Sequence, residues 1–462
     1  MSNYSRRGFL GAAGFGLAGT VTSLRAMSSL SLPKPPLLPV LSNERLFTFF
    51  QRGGADAIHT LPPTDLSWRN ARSSIAQPSI PIGINGVELN ADWSILTSTP
   101  ANTPFTHTPP QTAGHIAWLN QVGIPTGSLS HFTDEQIVET ADPQPSTSLN
   151  PIGFMTRLRQ ELVSAGLVPA RLFGASVSRQ MQRMYRTAAP TGLMAHISSL
   201  AAYRLGSSSQ RLALTAHLTL PQPGPVADLV EAAAQYALDT ETAVQSLASI
   251  PYPAGTGRAQ FFPANAGEAL AVGLPESTLG YAFMQDCELA LRLALDPTAG
   301  CQIIGVEVGG WDTHNDQKDR RHELDPWLAY AVRSVYDLTV SRPNHFSILV
   351  ASEFGRRNVV NGSAGTDHGR GCLYWAVGSA MIGGGYSCHP VGSSGPGVPL
   401  PSHSSLTGLG MLPVATDFRT VLTELLRKRF LVGVPANMAN IIPNFATNVP
   451  NQPTTTELGF TI

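Results

Sequence analysis

A strand–helix–strand pattern in the C-terminal half of the chain is the strongest constraint on its fold. Residues 302–308 are rich in Ile and Val and predict a strand, residues 324–338 carry apolar side chains at helical spacing, and residues 346–351 form a second short apolar run. Two strands joined in this way run parallel, with a right-handed crossover. Ligands of open parallel sheets bind at the carboxyl ends of the strands. The polar residues directly after these strands are therefore the candidates for a functional site.

Further signals extend this α/β pattern through the chain. The aromatic run 46–50 predicts a buried strand. Apolar residues at helical spacing predict helices over 229–247 and 279–295, the second ending before Pro297, where a helix cannot easily continue. A last amphipathic helix is expected over 416–430.

Long neutral loops are expected between these elements. The 462-residue chain contains 43 Gly and 37 Pro, and only 13% of its residues are charged. Residues 61–148 predict ordered loops and short helices over a sheet, and residues 383–413 predict a long surface loop. Four cysteines are too few for a disulfide framework. Cys287 is expected to be buried on a helix, whereas Cys372 and Cys388 flank a glycine-rich segment and could pair in an oxidising compartment.

The charge balance argues against nucleic acid as a partner. The chain carries 30 Lys and Arg against 31 Asp and Glu, which gives a formal net charge of −1. Proteins that bind polyanions cluster their basic residues against the phosphates. Here the arginines are scattered, and the lysines are Lys34, Lys318 and Lys428.

The first 29 residues resemble a twin-arginine export signal. Residues 5–10 read Ser-Arg-Arg-Gly-Phe-Leu and precede a small, apolar, uncharged run over 11–24. Its glycines make this run too weakly hydrophobic for a membrane anchor, which needs about 20 strongly apolar residues. Cleavage is expected near Ala26, with an uncleaved tether as the alternative and no stable membrane span after cleavage. The signal implies the twin-arginine export machinery as a partner and a periplasmic or secreted location.

Carboxylates and histidines follow three separate predicted strands, which is the pattern of a metal site built from oxygen and imidazole ligands. The candidate ligands are Asp56 after the first strand, Asp312 and His314 after the second, and Glu353, Asp367 and His368 after the third. Each group also has a purely structural interpretation. Asp56, in a glycine turn, could cap a helix. Asp312 or Thr313 could cap another, with His314 in solvent, and the third group could be an ordinary polar turn in a strand-poor loop.

The motifs around these residues resemble successive signatures of the domain-of-unknown-function 1501 family. In the family's order they are Arg52-Gly53-Gly54-Ala55-Asp56, Ser130-His131-Phe132, Asp312-Thr313-His314, Ser352-Glu353-Phe354-Gly355-Arg356, Gly365-Thr366-Asp367-His368-Gly369 and Pro413-Val414-Ala415-Thr416-Asp417-Phe418-Arg419. The resemblance runs from about Leu46 to Phe445.

That family is similar to the alkaline phosphatase and sulfatase superfamily, whose members hold one or two divalent metals at the carboxyl ends of a central, mostly parallel sheet. The resemblance therefore implies an α/β, alkaline-phosphatase-like three-layer fold with long loop insertions. A single domain of this kind is expected over 42–462, behind the signal segment 1–29 and a Pro-rich spacer over 30–41.

The resemblance also implies metal-binding roles. Asp56 resembles the aspartate after the first strand of the superfamily, and Asp312 with His314 resembles a metal-binding pair. Asp367-His368-Gly369 resembles the Asp-His-Gly element of a second metal, with Glu353 as the alternative source of that carboxylate. All these side chains are expected to converge in one cleft at the carboxyl edge of the sheet.

Catalytic roles are implied for three further residues. Ser130 is the counterpart of the nucleophilic Ser or Thr, which a metal activates by lowering the pKa of its hydroxyl. The alternative is that Ser130 caps a helix that starts near Thr133. Arg52 or Arg356 would balance the charge on the transferred group.

The chain departs from the family pattern after Asp-His-Gly. Further histidines are usual there, whereas this sequence continues Arg370-Gly371-Cys372-Leu373-Tyr374-Trp375. His389 or His403, in the predicted long loop, is an alternative ligand.

Two classes of function fit these observations. One is an exported metal-dependent hydrolase of phosphate or sulfate esters, with Zn, Mn, Mg or Ca as its divalent ion and a small-molecule ester as its substrate. In this hydrolase, either Ser130 or a metal-bound water would attack the ester. The other is a secreted binding or assembly protein that keeps the fold with a degenerate metal site. The candidate metal ligands favour the hydrolase, and the low charge and missing histidines favour the binding protein.

Replacement of both Arg6 and Arg7 by Lys is expected to keep the chain in the cytoplasm, because the export machinery reads the arginine pair. Immunoblotting of cytoplasmic and periplasmic fractions measures this. Arg25→Lys, outside the motif, is the matched control. Normal periplasmic yield from the double variant would contradict the prediction.

Overall fold

A computed structural model describes residues 44–84, 87–143, 152–167, 172–178, 182–186, 194–198, 238, 241–297, 299–343, 345–387, 406, 410–432, 434, 436–443 and 458–461. The predicted signal and spacer, Cys388 and its proposed pairing, His389 and His403 lie outside the described residues, as do most of the predicted 229–247 helix and much of the predicted 383–413 loop.

Strands alternate with helices along the described chain. The strands are β1 (Arg45–Gln51), β2 (Ser79–Pro81), β3 (Glu88–Asn90), β4 (Ile116–Gly123), β5 (Gly174–Val177), β6 (Met194–His196), β7 (Ile303–Val308), β8 (Phe346–Ser352), β9 (Gly355–Val360), β10 (Thr366–Gly369), β11 (Cys372–Val377), β12 (Gly384–Ser387) and β13 (Thr416–Asp417). The α-helices are α1 (Ala57–Thr60), α2 (Leu66–Asn70), α3 (His131–Thr140), α4 (Phe154–Ser164), α5 (Arg258–Phe261), α6 (Ala266–Ala271), α7 (Thr278–Leu295), α8 (Gln317–Thr339), α9 (Phe418–Leu425) and α10 (Met438–Ile441). Short 3₁₀ segments lie at Ser73–Ile75, Ala91–Leu96 and Arg183–Tyr185, and Leu426–Phe430 is π-helical.

A large, mostly parallel sheet forms the centre of the molecule. In the described part of the chain it has nine strands in the order β12-β4-β11-β8-β1-β7-β5-β6, with β13 also paired to β4. Its pairs are parallel except where β11 pairs with β4 and β8. The three strands predicted from apolar runs are confirmed as β1, β7 and β8. They are parallel, but β1 lies between the other two, so β7 and β8 do not pair with each other.

Two apolar layers cover the two faces of this sheet. Alternate side chains of a strand point to opposite faces, and in β1 Phe47 and Phe49 belong to one buried cluster whereas Leu46 and Phe50 belong to the other. Helices α7 and α8 contribute to the first cluster, and α3, α4 and α9 contribute to the second. The described residues therefore form three layers, with the sheet in the middle.

The predicted helices are present where the structure describes them, with differences at their ends: residues 246–247 are not helical, and Thr416–Asp417 form β13. Helix α7 begins after Ser277, whose hydroxyl accepts from the Gly280 N–H at 3.1 Å, and it ends before Asp296-Pro297. Cys287 lies buried on this helix, as expected. Helix α8 is longer than its apolar pattern indicated, and the last predicted helix is present as α9 and the π-helical turn that follows it. None of the described helices is long and apolar enough to cross a membrane.

Three loop predictions need correction. The region 61–148 contains β4, all eight residues of which are buried, in addition to the expected loops and short helices. Residues 366–369 form β10, which pairs with β9 in a hairpin, rather than a strand-poor loop. The first residues of the predicted loop after 383 form β12, which pairs with β4. In each case the neighbouring strand supplies backbone hydrogen bonds that local sequence does not reveal.

Candidate metal centre

The carboxyl ends of β1, β7 and β8 lie at the same level of the sheet. Gln51 at the end of β1 is level with both Val308 of β7 and Ser352 of β8. The loops that follow therefore start side by side. The loops after β1 and β7 come into contact at Gly53. A Cβ at this residue would lie 2.1 Å from the Asp312 backbone nitrogen, so no other residue fits there, and its φ of 120° is one that glycine adopts readily.

Four side chains, which we call the histidine cluster, converge above these strand ends: His131, Asp312, His314 and His368. The Asp312 Oδ1 lies 3.1 Å from the Nε2 atoms of both His314 and His368, and Oδ2 lies 3.5 Å from Nε2 of His131. The Nε2 atoms of His314 and His368 are 3.0 Å apart. Three imidazoles thus direct the same ring nitrogen toward one carboxylate.

The opposite ring nitrogen of each histidine has its own partner. His131 Nδ1 lies 2.8 Å from Glu353 Oε1, and His314 Nδ1 lies 3.2 Å from Asp367 Oδ1. His368 Nδ1 lies 2.8 Å from the backbone carbonyl oxygen of Leu129. A carbonyl oxygen only accepts, so His368 donates from Nδ1, and donation to a carboxylate gives the other two rings the same tautomer.

This arrangement leaves several lone pairs facing one another. With Nδ1 protonated, a neutral imidazole has only an acceptor at Nε2. Although partial burial opposes ionisation of Asp312, the hydrogen bond and the positive charge of Arg356 lower its pKa to about 2, so its carboxylate is ionised at neutral pH. A cation between these atoms would replace repulsion by coordination. The donor set of the histidine cluster therefore fits a divalent metal.

The protonation of two rings is biased in opposite directions. The hydrogen bond to Glu353 raises the pKa of His131, although burial opposes the shift. Burial lowers the pKa of His368, so that ring favours the neutral form that coordinates metals. Of these two rings, His131 is therefore the one that more readily takes up a proton in a metal-free site.

Two of the predicted ligands, Glu353 and Asp367, are not members of the histidine cluster but contact its imidazoles. Glu353 is buried and, besides contacting His131, accepts from the Gly53 N–H at 2.7 Å and from the Ser352 hydroxyl at 3.0 Å. Asp367 contacts His314 and accepts from the Asn361 amide at 3.2 Å. These carboxylates orient the imidazoles, an arrangement common around metal-binding histidines.

Asp56 is engaged in a separate set of contacts. Its buried carboxylate pairs with Arg72, accepts from the Gln317 amide at 2.6 Å, and caps α1 through the N–H groups of Ile58 and His59. The coulombic attraction and hydrogen bonds of Arg72 lower the pKa of Asp56 against the effect of burial. Its oxygens are thus used by protein donors, as the helix-cap interpretation of the glycine turn predicts.

The predicted charge-balancing arginines also have protein partners. Arg52 forms salt bridges with Glu307 at 2.6 Å, Glu135 at 2.7 Å and Glu139 at 3.3 Å. The Arg356 side chain is buried and donates to Asp312. Of the two, only Arg356 contacts the histidine cluster.

Arg356 also donates to three backbone carbonyl groups, namely those of Gly53, Trp311 and Thr366. These carbonyls belong to the segments that carry the candidate ligands. The buried guanidinium therefore joins the loops after β1 and β7 to the β9–β10 hairpin.

Ser130 occupies the N-cap position of α3, which starts at His131 rather than near Thr133. Its hydroxyl makes no capping hydrogen bond. The capping interpretation therefore holds for the position of Ser130 but not for its side chain. The structure places this partly buried serine between Leu129 and His131, both of which contact other members of the site.

His131 is the site residue that the sequence analysis did not select. It lies in the Ser130-His131-Phe132 motif, but it begins a helix instead of following a strand, so the strand-end rule did not mark it. Its ring packs against those of Phe354 and His368, with centroid distances of 4.9 and 4.6 Å. A search for histidines within the motifs, independent of secondary structure, would have found it.

Fold and site together define an α/β protein with a candidate metal centre at the carboxyl edge of a mostly parallel sheet. The family described as "Protein of unknown function (DUF1501)" matches residues 120–390. This match covers more than half of the chain, which therefore belongs to that family. It includes the whole histidine cluster, whereas Arg52 and Asp56 precede it. No curated protein matches the chain.

Asp56→Asn is expected to lower the free energy of unfolding by about 3 kcal/mol, because it leaves the buried Arg72 charge without its anion. Urea denaturation at neutral pH measures the change. The folded pKa of Asp56 lies below its unfolded value, so its stabilisation is present above about pH 4 and is lost as the pH falls below it. The difference from wild type should therefore shrink in acid.

Asp65→Asn is the matched control, since Asp65 caps α2 from an exposed position. Its effect is expected to be about 1 kcal/mol or less. An equal effect of the two substitutions would contradict the structural role of the Asp56–Arg72 pair.

Proposed function

We propose that this protein is an exported metal-dependent hydrolase of phosphate or sulfate esters. The observation that carries the proposal is the convergence of three imidazole Nε2 atoms on the ionised Asp312, with each Nδ1 occupied by another partner. Such outer contacts fix the tautomer that metal coordination needs. An isolated polar turn would not require three rings in the same tautomer.

The ligand set bears on the identity of the ion. Three imidazoles and one carboxylate suit Zn or Mn better than Mg or Ca, which prefer oxygen ligands. We place the ion on His131, Asp312, His314 and His368, with Glu353 and Asp367 orienting His131 and His314. A divalent ion held there supplies a Lewis acid that polarises an ester oxygen.

The chain's own groups would supply the remaining parts of the reaction. Ser130 precedes the ligand His131 directly, and its hydroxyl is free of the capping bond that would otherwise restrain it. We assign it the role of nucleophile. Arg356 balances negative charge through Asp312, and it is the better candidate for that role than Arg52, which has three carboxylate partners.

Two further parts of the proposal rest on resemblance. An alkaline-phosphatase-like fold is supported by the mostly parallel sheet, the helices on both of its faces and the candidate ligands at its carboxyl edge. Export through the twin-arginine route is supported by the Arg6-Arg7 pair and the weakly apolar run after it.

His131→Gln is expected to reduce the stoichiometry of bound metal to a small fraction of the wild-type value, because it removes one of three imidazole ligands. Elemental analysis after dialysis against a limiting concentration of zinc measures the change. His322→Gln is the control, since His322 pairs with Asp92 on the surface and lies outside the histidine cluster. Full metal content in His131→Gln would refute the assigned ligand set.

Ser130→Ala is expected to lower the turnover of an activated aryl phosphate or sulfate by roughly 10³-fold or more while metal content stays intact. Thr133→Ala, an exposed change on the same helix, should leave turnover unchanged. An active Ser130→Ala protein would transfer the attack to water. A filled metal site without hydrolysis across a broad panel of esters would instead support the secreted binding or assembly protein.

A further inference from the structure

The backbone carbonyl group that contacts His368 belongs to a residue in an unusual conformation. Leu129 has a φ of 64°, in the left-handed region that residues with a side chain adopt only when their surroundings require it. Its carbonyl oxygen lies 2.8 Å from His368 Nδ1. The direction of that carbonyl, and with it the tautomer of His368, thus depends on the local backbone.

A single buried carboxylate stabilises this conformation. Asp134, with 1% of its surface exposed, accepts from the Ser128 N–H at 2.9 Å, from the Ser128 hydroxyl at 2.9 Å and from the Leu129 N–H at 2.7 Å. Three donors from two consecutive residues thus bind one carboxylate. These hydrogen bonds fix the orientation of the peptide group between Ser128 and Leu129. Hydrogen bonds to a charged acceptor are stronger than those between neutral groups.

Asp134 also stands one turn after His131 on α3. The same helix therefore carries one histidine of the cluster directly and controls a second through the loop that precedes it. Asp134 itself makes no described contact with the histidine cluster, so it differs from Glu353 and Asp367, which touch imidazoles.

We infer that Asp134 is a positioning residue of the metal centre, which fixes His368 in its Nδ1–H tautomer by holding the Leu129 carbonyl group in place. This inference rests on the proposed metal centre and extends it to a residue that touches no ligand. With Asp134 in place, the His368 Nε2 lone pair points to the cluster. Without it, Leu129 relaxes to negative φ, the carbonyl turns away and His368 is free to rotate or change tautomer.

The test compares zinc affinity and the His368 tautomer in Asp134→Asn and wild type. An Asn side chain has one acceptor oxygen, so it cannot serve both N–H groups from two oxygens as the carboxylate does. Zinc affinity measured by competition with a chelator is expected to fall 10- to 100-fold, the range found when an outer partner of a ligating histidine is lost. The tautomer is measured by NMR in the metal-free, ¹⁵N-histidine-labelled proteins, with the His368 signals assigned by comparison with His368→Gln. In wild type, the ¹⁵N chemical shift of His368 Nε2 should be that of an unprotonated ring nitrogen. In Asp134→Asn, it should move toward the value of a protonated one.

A second pair of variants tests the backbone conformation and leaves Asp134 unchanged. Leu129→Gly accepts positive φ and keeps the carbonyl group, so its zinc affinity should stay within about threefold of wild type. Leu129→Val places a β-branched residue where positive φ is rarely tolerated, so its affinity should fall as that of Asp134→Asn does. Combining Leu129→Gly with Asp134→Asn should recover part of the lost affinity.

The control is Asp65→Asn, the same substitution at the exposed N-cap of α2. Unchanged zinc affinity and an unchanged His368 tautomer in Asp134→Asn would overturn the inference. An equal loss of zinc affinity in Asp65→Asn would also overturn it. So would equal losses of zinc affinity in Leu129→Gly and Leu129→Val. If Asp134→Asn does not fold, the Leu129 pair decides. If wild type binds neither zinc nor manganese, the proposed function fails, but the tautomer in the metal-free protein still tests the role of Asp134.

Discussion

The structure depends on one electrostatic constraint: a carboxylate and three imidazole lone pairs meet at the carboxyl edge of the sheet. Asp312 is ionised at neutral pH, and the ring nitrogens that face it are acceptors in the tautomer set by their outer partners. Arg356 offsets part of this negative potential, because its buried guanidinium donates to Asp312. The remaining compensation has to come from a cation or a proton, which is why the cluster suits a metal.

Helix α3 links this cluster to the central strand of the sheet. Its first residue is His131, and its Glu135 and Glu139 pair with Arg52, which follows β1 directly. Burial raises the pKa of Glu139 to about 7 in spite of the attraction of Arg52. These ion pairs attach α3 to the loop after β1, and the same loop donates the Gly53 N–H to Glu353, the partner of His131. Arg52 therefore helps to hold α3, and with it His131, beside the loop after β1.

Sequence patterns predicted the parts of this structure that are governed by local chemistry. The apolar runs of β1, β7 and β8 and the helical spacing of α7 and α8 are properties of single segments, and so is the strand-end placement of Asp312 and His314. Strand β4 was missed because it lies in a region rich in Pro and Thr and is buried on both faces, so it shows no alternation. Other contacts join positions that are separated in the sequence. Asp56 binds Arg72 and Gln317. His368 binds the backbone carbonyl group of Leu129, which no sequence motif encodes.

The distribution of charge separates the residues that build the site from those that would act in it. The sequence predicts Asp56 as a metal ligand and Arg52 as a group that balances the charge of a substrate, yet both have several protein partners of opposite charge or polar character. The histidine cluster differs, since roughly half of the Asp312 and His314 side-chain surface is exposed while their polar atoms face one another. A charged group that is buried and paired with protein partners stabilises the fold. Partly exposed acceptors that face one another without a donor between them repel, and a bound cation would remove that repulsion. That difference, which depends on tertiary contacts, is the physical basis for proposing His131, Asp312, His314 and His368 as the functional site.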